Sequence, residues 1–265
     1  MKNPLDKLIQ RTWAIHWRNS MRPYALEGAI PILFFGDLRR YNESTLKMIT
    51  VGLNPSIAEF PRERPLLRFP RLAQLLPTWS KKLDPTARAE YREALTEYFM
   101  QEPYSWFDRS YETVLNGMNA SYHEPERRFT ALHTDFCSPL ATRGDWGALT
   151  DSQKTSLMRD GNPLWYDLVQ VLSPDVIIAS IHRTLVQLIA NHYEWESAPS
   201  KICDVRNRKG GGKRASNYEV TMWRLKLNGS TTVLVHGRAA QLPFGSLSTL
   251  DKRKIGREIV SKLAP

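Results

Sequence analysis

The segment MITVGLNPSIAEF, residues 48–60, places a carboxamide directly after a run of residues that favour a buried strand. Gly52 and Pro55 end regular structure, so Asn54 lies at the carboxyl end of that strand. An amide is not a strong base, but its oxygen can hold a water against the oxocarbenium-like sugar formed when a glycosidic bond breaks. An Asx-turn, in which Asn54 satisfies its own backbone, fits the same residues, and both interpretations stay open.

Two further polar side chains accompany predicted strands. His236 ends the apolar run 231–236, where it either donates a hydrogen bond to an oxygen that gains negative charge or packs as a capping residue. Asp135 lies in the run 130–136 and either caps the next turn or reads a base. Because a carboxylate accepts hydrogen bonds, it suits the exocyclic amino group of cytosine better than uracil.

The charge distribution indicates a polyanionic partner. The chain carries 37 Lys and Arg against 27 Asp and Glu, a formal net charge of +10. The segment 206–217, RNRKGGGKRASN, concentrates basic residues around three glycines and predicts either a solvated hairpin loop or an arm that follows phosphates. The second interpretation predicts DNA contacts at Arg206, Arg208, Lys209, Lys213 and Arg214, and the glycine and arginine that follow His236 predict a further phosphate contact at Arg238.

Cysteine and histidine usage narrows the class of protein. Cys137 and Cys203 are the only cysteines, which excludes a disulfide scaffold and a cysteine-based zinc site. No apolar run has the length of a signal peptide or of a membrane span. These features indicate a cytoplasmic or nuclear protein. We expect a cytoplasmic monomer that binds DNA, without membrane, metal or cofactor.

Short apolar runs alternate with helical patterns along the chain. Four runs predict core strands and a fifth predicts an edge strand. Such alternation predicts an α/β fold with a mostly parallel, four-stranded sheet covered on both faces, and ligands bind such sheets at the carboxyl ends of the strands. The core runs are 47–52, 130–136, 175–181 and 231–236, and the edge run is 30–36.

Three helices have readable ends. Asp84 and Pro85 form an N-cap followed by a first-turn proline, and Asn162 and Pro163 repeat that signature before Pro174 ends the second helix. The predicted helices are 84–100, 162–173 and 249–263. With 265 residues and no repeat, we predict a single domain over residues 1–265.

Three motifs together resemble those of the uracil-DNA glycosylase superfamily. They are GLNPS at residues 52–56, LVQVLSPDVIIAS at 168–180 and a late strand that ends in His236. The resemblance is nearest to the mismatch-specific and thymine-DNA glycosylases and covers about residues 45–245. GRAAQLPFG follows His236 in place of the family's short Pro-Ser run, and a helical segment at about 61–128 is longer than a minimal member needs.

The resemblance implies a three-layer α/β/α fold and hydrolysis of the N-glycosidic bond of a flipped-out nucleotide, leaving an abasic site. Asn54 would position the water, His236 would support the departing base anion, and Phe60 would stack on the base. Asp135 would read the pyrimidine edge. The residues implied at the base pocket are Gly52, Leu53, Pro55, Ser56, Phe60, Asp135 and Phe136.

Several functions stay open on sequence alone. The favoured one is a glycosylase acting on a pyrimidine, with a hydroxymethylated or glucosylated cytosine of foreign or phage DNA as a candidate and antiviral defence as its purpose. The alternatives are a uracil or mismatch repair glycosylase, a catalytically inactive nucleic-acid-binding module, and an enzyme of free nucleosides. The last would not need the basic segment 206–217.

Overall fold

The computed structural model describes residues 3–79, 82–207, 212–239 and 242–263. The strands are β1 Met48–Gly52, β2 Ala120–Ser121, β3 Phe129–Asp135, β4 Val176–Ala179, β5 Glu194–Asn207, β6 Lys213–Leu227 and β7 Ser230–Gly237. The α-helices are α1 Pro4–Asn19, α2 Leu38–Glu43, α3 Pro70–Leu75, α4 Pro85–Thr96, α5 Trp106–Arg109, α6 Glu112–Gly117, α7 Asp151–Leu172, α8 Arg183–His192 and α9 Thr249–Leu263. None of the helices in these ranges combines the length and apolarity that a membrane span needs.

The strands form one mixed sheet in the order β2-β3-β1-β4-β7-β6-β5. β1 and β7 both pair parallel with β4, which aligns Val51, Ala179 and His236 in one row across the sheet. β6 pairs antiparallel with both β7 and β5. The α/β class is confirmed, but the four-stranded sheet is wrong because the sheet has seven strands.

The missed strands explain the difference in sheet size. β6 buries mainly alternate residues, including Tyr218, Val220 and Met222, so it contains no continuous apolar run. A strand with one buried face alternates apolar and polar side chains, whereas a strand buried on both faces is apolar throughout. Continuous apolar runs therefore mark the buried parallel strands but not the long antiparallel pair.

The chain divides into two compact units. The first contains the whole of helices α1, α3, α4 and α7, while the second contains almost all of the sheet and helices α5, α6, α8 and α9. Whether either unit folds alone is a separate property, so the single-domain prediction stays a prediction. The first unit comprises Met1–Arg39, Gly52–Tyr104 and His133–Leu172, and the second comprises Arg40–Val51, Ser105–Leu132 and Ser173–Pro265.

The four predicted core strands correspond to β1, β3, β4 and β7, whereas the predicted edge strand at 30–36 is wrong. In that segment an isolated antiparallel bridge joins Phe35 to His133. Pro31 lacks an N–H, and Gly36 has a φ of 121°, so the extended backbone is interrupted at both ends.

Two predicted helices agree closely with the structure. Asp84 caps α4, its carboxylate accepting the N–H of Ala87 at 2.8 Å, and a 3₁₀ turn at Tyr98–Met100 follows the helix. The last predicted helix corresponds to α9. Cap residues and proline thus located these helix ends correctly.

The helix predicted to begin at Asn162 is wrong at its start, because α7 begins at Asp151. Thr150 and Gln153 form a reciprocal capping box, with N···O distances of 3.3 and 2.8 Å. Pro163 lies inside the helix. At Gly161 a Cβ would come within 2.0 Å of the Cys137 carbonyl oxygen, so glycine allows α7 to lie against the backbone that follows β3.

The Tyr111 hydroxyl joins the ends of two neighbouring parallel strands. It donates to the Val51 carbonyl at 2.6 Å and accepts the Ser180 N–H at 2.8 Å. The residue is fully buried, and its ring contacts Phe244 edge-on at 6.2 Å. One side chain therefore fixes the spacing of the carboxyl ends of β1 and β4.

Replacing Tyr111 with phenylalanine tests this link. Tyr111→Phe keeps the ring but leaves the Val51 carbonyl and the Ser180 N–H without their partner, so we expect a loss of roughly 1–3 kcal/mol in unfolding free energy. Urea denaturation measures it. Tyr24→Phe is the control, because the Tyr24 hydroxyl makes no hydrogen bond within the described residues. Equal stabilities of the two variants would contradict the role of Tyr111.

Candidate functional site

The first motif is held by the backbone that follows β3. The Phe136 N–H donates to the Gly52 carbonyl at 3.0 Å, and the Cys137 N–H donates to the Leu53 carbonyl at 2.8 Å. Pro55 is buried, and the Ser56 hydroxyl caps a 3₁₀ turn at Ile57–Glu59. The turn that carries Asn54 is therefore fixed by hydrogen bonds on both sides.

Three oxygens surround the side-chain nitrogen of Asn54. Nδ2 lies 3.2 Å from each of the Pro55 carbonyl, the Leu140 carbonyl and Thr142 Oγ1. The Thr142 hydroxyl donates its own proton to the Gly144 carbonyl at 2.7 Å, so toward Asn54 it can only accept. All three neighbours are thus acceptors, and only the NH₂ group of the amide can face them.

This orientation gives the amide oxygen its role. A flipped amide would bring Oδ1 against two carbonyls, which repel it. Within the described residues no protein donor reaches Oδ1, and no following N–H makes the Asx-turn bond. The Asx-turn interpretation therefore has no support in the hydrogen bonds, and Asn54, which is half-buried, presents a preoriented acceptor.

A buried imidazole and carboxylate lie against Gly52. The side chains of His133 and Asp135 are 4% and 3% exposed, with Nε2 and Oδ1 3.7 Å apart. A Cβ on Gly52 would lie 2.3 Å from Asp135 Oδ1, so glycine is required for this close approach. Asp135 thus faces the first motif, as its predicted role needs, but it is enclosed rather than open to solvent.

Sequence reasoning missed Glu59, the acidic residue of the first motif's 3₁₀ turn. Glu59 is 2% exposed, accepts a hydrogen bond from the Tyr98 hydroxyl, and lies 3.9 Å from Arg68 Nε. Burial raises the pKa of Glu59 to about 8; Tyr98 and Arg68 oppose the rise, and the charge of Asp135 adds to it. The only sequence signal was an acid between Ala58 and Phe60, two apolar neighbours.

A carboxyl group with this pKa carries a proton at neutral pH. It can donate a hydrogen bond or a proton, which an ordinary carboxylate cannot. Strongly perturbed carboxyls occur at functional sites and also in structural networks. Glu59 is therefore a further candidate site residue in the same compact unit as Asn54.

The two aromatic residues predicted at the base pocket lie in the core. Phe60 is 3% exposed and stacks on Phe69 at 5.8 Å between ring centroids. Phe136 is fully buried, edge-on to Trp165 at 5.2 Å. Stacking on a flipped base would require Phe60 to leave this packing, so that role stays a prediction.

His236 is a neutral donor to the backbone. Its Nε2 lies 3.2 Å from the Ile181 carbonyl, and because a carbonyl only accepts, Nε2 carries the proton. Burial lowers the pKa of His236; the hydrogen bond to Ile181 opposes this, and the charges of Arg183 and His182 add to it. The structure thus gives the ring a packing role, and support of a departing base stays a prediction.

The predicted DNA contacts fall into three groups. Arg206, Lys213 and Arg238 are exposed. Arg214 is half-buried, donates to the Ser246 carbonyl and lies over the Tyr218 ring at 5.7 Å, so it is tied to the protein. The remaining two lie outside the described residues: Arg208 and Lys209.

One group of side chains has the donor types of a metal site. The ligand atoms of Glu112, His123 and Glu124 lie within 4.8 Å of one another. Glu112 accepts from the Ser121 hydroxyl at 2.6 Å, and Glu124 pairs with Arg127 at 2.6 Å. The Arg127 charge competes with a cation at Glu124, so this cluster is satisfied within the protein, and the absence of a metal stays a prediction.

Comparison with known proteins leaves the function to be argued from the chain itself. No family model matches the sequence, and no curated protein matches it. The resemblance to the uracil-DNA glycosylase superfamily stays a prediction that depends on GLNPS and on the polar residues at the strand ends.

The raised pKa of Glu59 predicts a pH-dependent stability. The folded state holds this proton up to about pH 8, whereas the unfolded carboxyl, with its ordinary pKa of 4.5, releases it. Folding therefore binds a proton between these values, and stability falls as pH rises through the window. We expect Glu59→Gln, which keeps the acceptor for Tyr98, to flatten this fall by on the order of a few kcal/mol.

Urea denaturation at a series of pH values from about 5 to 9 measures the effect. Glu63→Gln is the matched control, because Glu63 is an exposed carboxylate close by in the chain. Parallel stability profiles for the wild type and Glu59→Gln would show that Glu59 is not protonated in the folded state.

Proposed function

We propose that the protein is a DNA glycosylase of the uracil-DNA glycosylase type, which hydrolyses the N-glycosidic bond of a flipped-out pyrimidine and leaves an abasic site. The observation that carries the proposal is the fixed amide of Asn54, whose side-chain nitrogen faces three acceptors so that its oxygen is left to accept a hydrogen bond from a water. The proposal includes a three-layer fold, a monomer, and action in the cytoplasm without metal.

The chemistry needs alignment more than basicity. As the glycosidic bond breaks, its electron pair leaves with the base and the sugar becomes oxocarbenium-like. A water held by Asn54 Oδ1 adds to the sugar carbon, and its proton is released to the departing base or to solvent. Since a cationic carbon reacts with neutral water, a preoriented acceptor supplies the positional advantage that the reaction requires.

His236 would act on the departing base as a neutral donor. Its Nε2 proton faces the Ile181 carbonyl, so donation to a base oxygen requires that this proton be shared or that the ring turn. A neutral imidazole can polarise an oxygen that gains negative charge, as an oxyanion-type donor. We assign His236 a supporting role and place the larger contribution on Asn54.

The polarity of Asp135 favours cytosine over uracil. Its carboxylate accepts a hydrogen bond from an exocyclic amino group and would repel a carbonyl at the same place. A hydroxymethylated or glucosylated cytosine of phage DNA is the candidate that gives such an enzyme a purpose in antiviral defence. A uracil or mismatch repair glycosylase is the alternative, and it would require a different contact at this place.

Base release from a panel of DNAs tests the proposal. The panel carries uracil, a thymine mismatch, and cytosine with methyl, hydroxymethyl or glucosyl groups, and alkali cleavage reveals abasic sites. We expect release from one substrate class and a loss of at least about a hundredfold in Asn54→Ala, because the water loses its position while DNA binding persists. Asn191→Ala, at an exposed position in α8, is the control.

The outcomes separate the alternatives. DNA binding without release of any base would favour the inactive binding module. Release from free nucleosides at an equal rate would favour a nucleoside enzyme. Unchanged release in Asn54→Ala would remove the amide from the mechanism.

Thr142 provides a test of amide orientation. Thr142→Val keeps the shape but removes one of the three acceptors around Asn54 Nδ2, so we expect base release to fall roughly tenfold while substrate affinity is retained. Thr142→Ser keeps the oxygen and should restore most of the rate. Single-turnover rates measure the chemical step, and equal rates for the two variants would show that Thr142 does not act through Asn54.

A further inference from the structure

The hairpin formed by β5 and β6 extends beyond the rest of the sheet. β6 pairs with β7 only from Val220 onward, where Val220 lies opposite Gly237. The part of β6 before Val220 pairs with β5 alone, with Val205 opposite Tyr218 and irregular register beyond them. Cys203 lies opposite Val220, and β5 continues from there to Asn207, so at about 3.3 Å per residue the paired ribbon reaches roughly 13 Å past the end of β7. We define residues 205–207 and 213–218 as the distal hairpin.

The distal hairpin stands at the edge where the parallel strands end. β6 runs antiparallel to β7, so its first residues lie past the carboxyl end of β7. β4 pairs parallel with β7 and β1 pairs parallel with β4, and their carboxyl ends share this edge. Ligands of open α/β sheets bind at that edge, so the hairpin is placed to contact what is bound there.

Charge is distributed unevenly along the hairpin. In the proximal half of the hairpin, outside the distal hairpin, basic and acidic side chains form pairs. Lys201 contacts Glu219 and Asp204, and Lys226 contacts Glu194 at 2.7 Å. Between Val205 and Tyr218 the sequence contains no acidic residue. Positive charge is therefore neutralised in the proximal half and left uncompensated in the distal half.

The exposed charges of the distal hairpin are those of Arg206 and Lys213. Their side chains form no ion pair or hydrogen bond within the described part of the chain. Exposed, uncompensated arginine and lysine are the usual partners of phosphate oxygens. The segment that follows β7 adds the exposed Arg238.

Side-chain contacts fix the distal hairpin to the segment that follows β7. The Tyr218 hydroxyl donates to the Arg238 carbonyl, and Arg214 donates to the Ser246 carbonyl. Val205 and Tyr218, which lie opposite each other, are both buried. The base of the distal hairpin is therefore anchored in packed structure, which gives the backbone that carries its basic residues a defined position.

We propose that the distal hairpin enters the major groove of duplex DNA, so that the substrate is a base within double-stranded DNA. The major groove, about 12 Å wide, admits a two-stranded β-ribbon, whereas the major groove of duplex RNA is too deep and narrow for side chains to read. The inference rests on the proposed glycosylase function for the identity of the nucleic acid, and it commits that function to duplex DNA.

Two matched double variants test the proposal. Arg206→Ala with Lys213→Ala removes the distal charges, and Lys201→Ala with Lys226→Ala removes the same number of charges from the ion-paired half of the same hairpin. The probe is a duplex without any modified or mismatched base, compared with its single strand and with duplex RNA. Affinities are measured across a series of salt concentrations, and thermal unfolding confirms that both variants fold.

The distal variant should bind duplex DNA more weakly and with a salt slope less steep by about two, since each lost phosphate contact contributes about 0.9. Single-strand affinity should change less, and the proximal variant should resemble the wild type. Equal losses for duplex and single strand would overturn the groove assignment. Equal affinities and salt slopes of the two variants, or duplex RNA that competes for the protein as well as duplex DNA does, would overturn it as well.

The two proposals fail in different ways. Binding to an unmodified duplex requires no base release. Binding that depends on the hairpin, with no base excised from any substrate, would therefore refute the glycosylase proposal and leave the groove contact supported. Base release that depends on Asn54 but does not change when the distal charges are removed, with an unchanged salt slope, would support the glycosylase proposal. It would refute the role of the hairpin in DNA recognition.

Discussion

The hydroxyl of Tyr111 satisfies backbone groups at the ends of two parallel strands at once. Where a parallel strand ends, its polar groups lose their ladder partners and must find others if they are buried. A single side chain that accepts from Ser180 and donates to Val51 meets this need at β4 and β1 together. The carbonyl of Val51 and the N–H of Ser180 are therefore held at a fixed spacing at the carboxyl ends of the two strands.

Precision at Asn54 comes from residues far away in sequence. Leu140 and Thr142 supply acceptors for its amide. The Gly144 carbonyl accepts the hydrogen bond of the Thr142 hydroxyl, which could otherwise donate to Asn54 and make the orientation of the amide ambiguous. Nothing in the local sequence shows these contacts, because they depend on how the backbone after β3 lies beside the first motif. The position of Asn54 after a strand was predictable, whereas the direction of its oxygen was not.

The same distinction explains which parts of the fold the sequence indicated. Runs apolar on both faces marked β1, β3, β4 and β7, and cap residues marked α4 and α9. β6 was missed because it buries mainly one face, and β5 because most of its residues are exposed. α7 was cut short because Pro163 was taken as a start although Thr150 and Gln153 cap the helix earlier. Glu59 went unnoticed because burial by distant residues, and not its own neighbours, changes its chemistry.

Burial acts in opposite directions on the pKa values of Glu59 and His236, yet it leaves both groups uncharged at neutral pH. Neutral side chains can orient water and polarise bonds without repelling a departing anion, but they cannot attract a polyanion over a distance. Attraction must then come from elsewhere on the molecule. The uncompensated arginine and lysine of the distal hairpin meet that requirement, because their charges are exposed to solvent. Dissolved salt screens the attraction of such charges to phosphates. Chemistry and recognition would thereby use separate residues, and salt should weaken the encounter with DNA while leaving the rate within the bound complex unchanged.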